Sequence, residues 1–423
     1  MPIDPAMLHG HDPFGRFAQP SRRLFLAGVG SLTASVMLPR LASAAGTRDP
    51  RLVVIVLRGA LDGLGAVPPV GDPHYAGLRP DIAVEAEGEH AVLPLDGFFG
   101  LNPGLTRLHA MVARGEALIV HAAATPYRQR SHFQGQDVLE NGSPRPDLAT
   151  GWLNRLAGIL PAGGQQISAT PVRGLGIGAT VPLILRGPAP TVTWTPTEGD
   201  TARADTIERL AALYAARDPA LEAALVAGAD LDQLAAQTMA GGTTIDATLD
   251  RAQRTFVQLA NATAGLIAAD DGPRIAAISY DGWDTHANEG GGTGRLARLL
   301  AGLDVALDGL RTGLGPVWSE TAVLVVTEFG RTARENGTDG TDHGTGTTAF
   351  LLGGRVKGGR IIADWPGLAE ADLFENRDLK PTLDLRSLCK GVIAELFDVP
   401  ERLLSEVVFP ESAGVRPMRG LLT

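Results

Sequence analysis

The chain has 423 residues, with 47 Asp and Glu against 37 Lys and Arg, one cysteine, 53 glycines and 44% hydrophobic residues. That length suits one large α/β unit or two smaller ones, and the ordinary apolar content excludes disorder and collagen. A net charge of −10 argues against a sequence-independent nucleic-acid binder, which must neutralise phosphates with clustered cations, and a lone cysteine removes disulfide frameworks and four-thiolate zinc sites.

The first predicted element is an export signal over residues 1–44. Ser21-Arg22-Arg23-Leu24-Phe25-Leu26 opens an apolar run through Val29, Leu32, Val36 and Leu38, and Ala42-Ser43-Ala44 supplies a small-residue cleavage site. This is the layout of a twin-arginine signal peptide, with Ala27 standing where a lysine is common. The apolar run of about 15 residues is short of the ~20 that span a bilayer, so no permanent membrane span is expected and a retained anchor is the alternative. The expected location is periplasmic or secreted, with the twin-arginine translocase as a partner during export. Without residues 1–44 the chain carries 33 basic and 45 acidic residues, a net charge of −12.

Strands are predicted at Arg51–Leu57, Ala117–Ala123, Arg274–Tyr280, Thr321–Thr327 and Thr348–Leu352, near-continuous apolar runs of the kind buried on both faces of a sheet. Between the third and fourth, Leu296, Leu299, Leu300, Leu303, Ala306, Leu307 and Leu310 fall at helical spacing, which predicts a crossover helix over Gly294–Thr312. Asp304 and Asp308 are read as its solvated polar face. The Ala/Leu-rich stretch from about 201 to 268 is read as a helical insertion within a single domain spanning 45–423. The expected fold class is α/β, with a mainly parallel central sheet and helices on both faces.

In an open α/β sheet ligands bind beyond the carboxyl ends of the strands, so the segments that follow them carry the information. These are Arg58-Gly59-Ala60-Leu61-Asp62, then Arg130-Ser131-His132, then Asp284-Thr285-His286, then Glu328-Phe329-Gly330-Arg331, and finally Thr341-Asp342-His343. Carboxylate and imidazole ligands of this kind suit zinc, manganese or a similar divalent ion. Ser131 has two readings: a helix N-cap with Gln134 at capping-box spacing, or a nucleophile at a helix start where a phosphate or sulfate is welcome. His132 is either a partner of the ligands or a packed ring. Arg58, Arg130 and Arg331 are either anion-holding guanidiniums or members of structural ion pairs. A nicotinamide oxidoreductase is not expected, because no GxGxxG follows the first strand.

The blocks LRGALDGL, RSHFQGQDVLENG, DGWDTHANEGG, TEFGRTARENGTDGTDHGTG and FLLGGRVKGGRIIADWPGL, spread between residues 51 and 398, resemble the bacterial exported family known as domain of unknown function 1501. That family in turn is similar to the alkaline phosphatase/sulfatase superfamily, whose members act on phosphate and sulfate esters with a hydroxyl nucleophile and one or two metal ions. The resemblance implies Asp62, Asp284, His286, Glu328 and His343 as metal ligands and Ser131 as nucleophile. From the residues themselves Asp342, next to His343, joins the candidate ligands, Arg58 and Arg331 are candidate catalytic residues, and Arg130 and His132 are candidates toward the substrate. Zinc is the first candidate ion, manganese or calcium the others. Two departures stand out: Asp62 lies five residues beyond Leu57, and Phe329 occupies a position where the superfamily commonly has a histidine ligand. A one-metal or altered site is therefore open beside a two-metal one. The expected function is a metal-dependent hydrolase of small anionic phosphate or sulfate esters; the alternative is a non-catalytic periplasmic binding or assembly protein on the same fold.

Overall fold

The computed structural model describes residues 48–423 apart from 162–171, 179, 197–203, 240–247 and 271. The export signal expected over 1–44 lies outside the described residues, as do parts of the 201–268 region.

Nine strands form the central sheet: β1 (Arg51–Arg58), β2 (Ala117–Ala124), β3 (Gly174–Ile177), β4 (Thr191–Trp194), β5 (Ile275–Asp281), β6 (Thr321–Thr327), β7 (Thr347–Leu352), β8 (Arg360–Ile362) and β9 (Leu383–Asp384). Their order is β8-β2-β7-β6-β1-β5-β3-β4, with β9 also paired to β2. The sheet is mostly parallel. At its centre Val54 of β1 aligns with Ala277 of β5 on one side and Leu324 of β6 on the other, both in parallel register. Only β7 runs antiparallel to its neighbours β2 and β6. It therefore starts at the edge where β1, β2, β5 and β6 end, and the loop leading into it joins theirs.

The long strands form where the sequence places β-branched and aliphatic runs, and burial on both faces explains the absence of polar alternation. Val53, Ile55 and Leu57 join one large core, while Leu52, Val54 and Val56 are equally buried. That core is covered by α1 (Thr106–Ala113), α6 (Arg251–Ala268) and α7 (Arg295–Leu314), through residues such as Leu108, Met111, Phe256, Ala260, Leu300 and Leu307. Helix α2 (His132–Asn141) follows β2, and α3 (Trp152–Ile159), α4 (Ala204–Ala215), α5 (Pro219–Met239) and α8 (Leu385–Phe397) complete the α-helices of eight or more residues among the described residues. Among the described residues no helix is long and apolar enough to cross a membrane.

Three features differ from the expected pattern. Strands β3 and β4 extend the sheet beyond β5, although GLGI is too short and glycine-rich, and TVTW too short and polar, to stand out as apolar runs. Asp304 is not on a solvated face. It is 1% exposed and accepts the backbone N–H groups of Arg107 and Leu108 at the start of α1, so it satisfies helix-end donors from another element. The last helix of the expected insertion, α6, is a layer of the main core, opened by a capping box between Asp250 and Gln253.

Candidate metal centre

Five chain segments meet at the sheet edge where β1, β2, β5 and β6 end. Close backbone approach makes this possible at two glycines. Gly59 follows β1 with φ +118°, and a Cβ there would sit 2.5 Å from the backbone nitrogen of Asp284. Gly344 lets the loop before β7 pass beside Arg331, where a Cβ would lie 2.2 Å from the Arg331 carbonyl oxygen. The same loop forms an antiparallel bridge between Arg331 and His343.

The functional atoms are three nitrogens and one oxygen. His343 Nε2 lies 2.9 Å from His132 Nε2 and 3.0 Å from His286 Nε2. Asp284 Oδ1 lies 3.5 Å from His132 Nε2, 3.3 Å from His343 Nε2 and 3.1 Å from His286 Nε2. His132, Asp284 and His343 form one such set, with their ligating atoms all within 4.8 Å of one another. His286 forms a second triangle on the shared edge between Asp284 and His343.

The opposite nitrogen of each ring is anchored. His132 Nδ1 donates to Glu328 Oε1 at 2.8 Å, His343 Nδ1 to the Arg130 carbonyl at 2.9 Å, and His286 Nδ1 to Asp342 Oδ1 at 3.2 Å. With the proton placed on Nδ1 beside an oxygen acceptor, each Nε2 of a neutral ring presents a lone pair. Two lone pairs at 2.9–3.0 Å repel unless a cation lies between them. A proton can bridge one such pair; a divalent ion serves every donor of a triangle at once. Ligands 2.0–2.1 Å from a tetrahedral ion are separated by about 3.3 Å, and the triangle of His132, Asp284 and His343 has sides of 2.9, 3.3 and 3.5 Å. The residues present therefore fit a divalent metal, held by nitrogen and carboxylate donors and oriented from behind by two carboxylates and a carbonyl.

The electrostatics suit the same role. Burial pushes the Asp284 carboxyl up, but the hydrogen bond and charge of Arg331, whose Nη1 is 2.7 Å from Oδ1, hold it below the usual range. Burial pushes Asp342 up as well, and hydrogen bonds from Asn336 and His286 outweigh it and lower the carboxyl. Burial lowers the His343 imidazole. The hydrogen bond to Glu328 raises His132 against its own burial.

The remaining candidate residues are placed as follows. Glu328 is fully buried, and besides His132 it accepts the Gly59 N–H at 2.9 Å and the Thr327 hydroxyl at 3.0 Å, so it stands behind the His132 ring. Asp342 stands behind His286. Asp62 is separate from the convergent donors: it is 1% exposed, and Arg79 grips both of its oxygens. Arg331 is buried, with all three nitrogens spent on Thr341 and Asp284. Arg58 bonds Ser279, Gln136 and Glu140, and Arg130 bonds Asp378 and Glu375. Each of these three arginines thus has a carboxylate partner: Glu140 for Arg58, Asp378 and Glu375 for Arg130, and Asp284 for Arg331. Phe329 stacks on the His132 ring, centroids 5.0 Å apart at 24°, and so walls the ligand.

Ser131 occupies the N-cap of α2 without a side-chain cap hydrogen bond. Its expected capping partner Gln134 instead accepts from the Tyr127 hydroxyl, which in turn accepts the Ser131 N–H. The Ser131 hydroxyl is thus not spent on the helix. In the chain Ser131 lies between Arg130, whose carbonyl anchors His343, and His132.

The family model described as "Protein of unknown function (DUF1501)" matches residues 112–408. The chain belongs to that family. Four of the five segments carrying the centre, from Arg130 to His343, fall inside the matched region of this DUF1501 protein. No curated protein matches the sequence. Similar solved structures include Ps i-CgsB in complex with k-i-k-neocarrahexaose, 12% identical over 88% of this chain and 77% of that one, with a TM-score of 0.40. Phosphonoacetate hydrolase from Sinorhizobium meliloti 1021 is 13% identical over 66% and 57%, TM-score 0.29. PsFucS1 sulfatase from Pseudoalteromonas sp. is 12% identical over 81% and 68%, TM-score 0.34.

Proposed function

We propose that this DUF1501 protein is an exported, metal-dependent hydrolase of phosphate or sulfate esters. In this reading residues 1–44 are the twin-arginine signal, the remainder works as one domain in the periplasm or outside the cell, and zinc is the resident ion. The observation that carries it is the triangle of His132, Asp284 and His343, with His286 on its Asp284–His343 edge: donors that a divalent ion would serve together. Nitrogen donors favour zinc over calcium, which takes oxygen ligands.

A bound divalent ion would polarise a non-bridging substrate oxygen and offset the charge that develops in displacement. The chain's own residues do the rest. Glu328 and the Arg130 carbonyl keep two imidazoles in the ligating tautomer, and Arg331 holds Asp284 ionised. The first turn of α2 offers unpaired backbone N–H groups to an anion. In this reading the Ser131 oxygen, free of the helix, attacks the phosphorus or sulfur as its proton passes to solvent, the P–O or S–O bond to the ester alcohol breaks and the departing alcohol takes up a proton, and water later cleaves the covalent ester to return the hydroxyl and release the acid.

The test is a paired measurement on purified protein. Wild type should contain zinc and hydrolyse members of a p-nitrophenyl ester panel, and Ser131→Ala should keep its zinc while losing at least about 100-fold in kcat. Full turnover by the variant would remove Ser131 from the mechanism, and metal-loaded wild type inert on every ester would remove the hydrolase.

A further inference from the structure

The fixed charges around the centre bear on which esters it takes. Three carboxylates adjoin the imidazoles: Asp284 among the donors, Glu328 behind His132 and Asp342 behind His286. One guanidinium, Arg331, touches the set, and its charge is already directed at Asp284. The other nearby guanidiniums are neutralised where they stand. Arg58 is paired with Glu140, Arg130 with Asp378 and Glu375, and Arg377, which donates to the His343 carbonyl, with Asp378. The protein's own charge at the centre is thus about two negative units, and one divalent ion brings it to zero. No guanidinium among these four is left to clamp a second negative charge on a ligand.

Resting on the hydrolase reading above, we infer that the centre selects singly charged tetrahedral esters: sulfate monoesters, phosphodiesters or phosphonate monoesters. Doubly charged phosphate monoesters are discriminated against. A dianion would leave the site at about −2 with no cation to answer the second charge, in a chain already at −10. A site built for dianions would need a free, partly desolvated arginine for bidentate recognition, and here those guanidiniums face carboxylates. Glu375 is the most exposed of these partners, its side chain 57% accessible, so its loss should release part of the Arg130 charge without disturbing the centre.

The experiment compares esters with one leaving group at pH 8, where a phosphate monoester with a second pKa near 6 is dianionic. These are p-nitrophenyl sulfate, bis(p-nitrophenyl) phosphate, p-nitrophenyl phenylphosphonate and p-nitrophenyl phosphate. In parallel, calorimetry on zinc-loaded protein measures binding of dianionic phenylphosphonate against its singly charged monomethyl ester. We expect at least one monoanion to exceed p-nitrophenyl phosphate in kcat/KM by about tenfold or more, and the monomethyl ester to bind about tenfold tighter. Glu375→Gln should narrow both ratios while leaving zinc content unchanged. If p-nitrophenyl phosphate is the best substrate and the dianion the tighter ligand, the charge selectivity is wrong and the hydrolase reading survives. If no ester turns over but the monomethyl ester still binds tighter, the hydrolase reading fails and the selectivity stands. Neither turnover nor binding removes both.

Discussion

Two carboxylates follow parallel strands at the same edge of the sheet and meet opposite fates. Asp62, after β1, is 1% exposed and sealed: Arg79 grips both oxygens and also donates to the Ala333 and Thr332 carbonyls. Beside it, Glu289 is fully buried with no donor for its Oε1. Burial and then the charge of Asp62 push the Glu289 carboxyl far up. Asp284, after β5, stays open, its side chain 43% exposed among imidazoles whose lone pairs face one another. Buried negative charge needs a resident cation. At Asp62 the chain supplies one in Arg79; at the half-exposed Asp284 the chain supplies Arg331, and the proposed ion would serve the imidazoles around it. The two are joined, because the Thr341 hydroxyl donates to Glu289 at 2.6 Å and accepts from the Arg331 Nε that fixes the guanidinium on Asp284.

That contrast can be broken from either side. The largest effect should come from Arg79→Ala, which strands Asp62 in the interior: about 3–5 kcal/mol of stability lost in chemical denaturation, with zinc stoichiometry per folded chain unchanged. A loss of zinc without loss of stability would merge the two sites. Next is His343→Ala. It removes the nitrogen that faces both other rings, and zinc affinity by chelator competition should fall more than the ~10–100-fold typical of an outer partner. Metal-free stability should change by less than about 1 kcal/mol, because the side chain is only partly buried and its loss relieves a lone-pair contact.

Much of the fold was legible in the sequence because buried parallel strands announce themselves. The runs RLVVIVL, ALIVHAA and TAVLVVT begin and end within a residue of β1, β2 and β6. The crossover helix was legible from leucine spacing. What spacing does not encode is direction: TTAFLL reads as a strand, but its antiparallel sense comes from the loop that brings His343 back to the edge. The centre was legible as a set of segments and less so as a set of roles. His132 directly follows Ser131 at a helix start, which carries no ligand signal until the ring is seen against His343. Asp62 looked like a ligand by position, and its partner Arg79, seventeen residues on in a one-turn helix cap, belongs to no motif that would reveal it. Arginines read equally well as clamps or ion pairs, since pairing depends on carboxylates such as Glu140 and Asp378 that only the fold brings near.

The smallest expected effect is a shift with pH, and it separates an orienting role for Glu328 from a merely structural one. Zinc binds neutral imidazole, so protons compete with it. The hydrogen bond to Glu328 lifts His132 above its ordinary pKa of 6.5, whereas burial lowers His343. On acidification the first competing proton therefore goes to His132, and apparent zinc affinity should begin to fall at a pH above 6.5, by about tenfold per pH unit at first. Glu328→Gln removes the principal cause of that lift. At pH 8.5 the variant should bind zinc about 10–100-fold more weakly, because the ring has lost its carboxylate support. Yet the pH at which its affinity starts to drop should move down toward 6.5, so the deficit shrinks as the solution is acidified. A variant curve parallel to wild type at every pH would show that Glu328 packs the site without tuning His132.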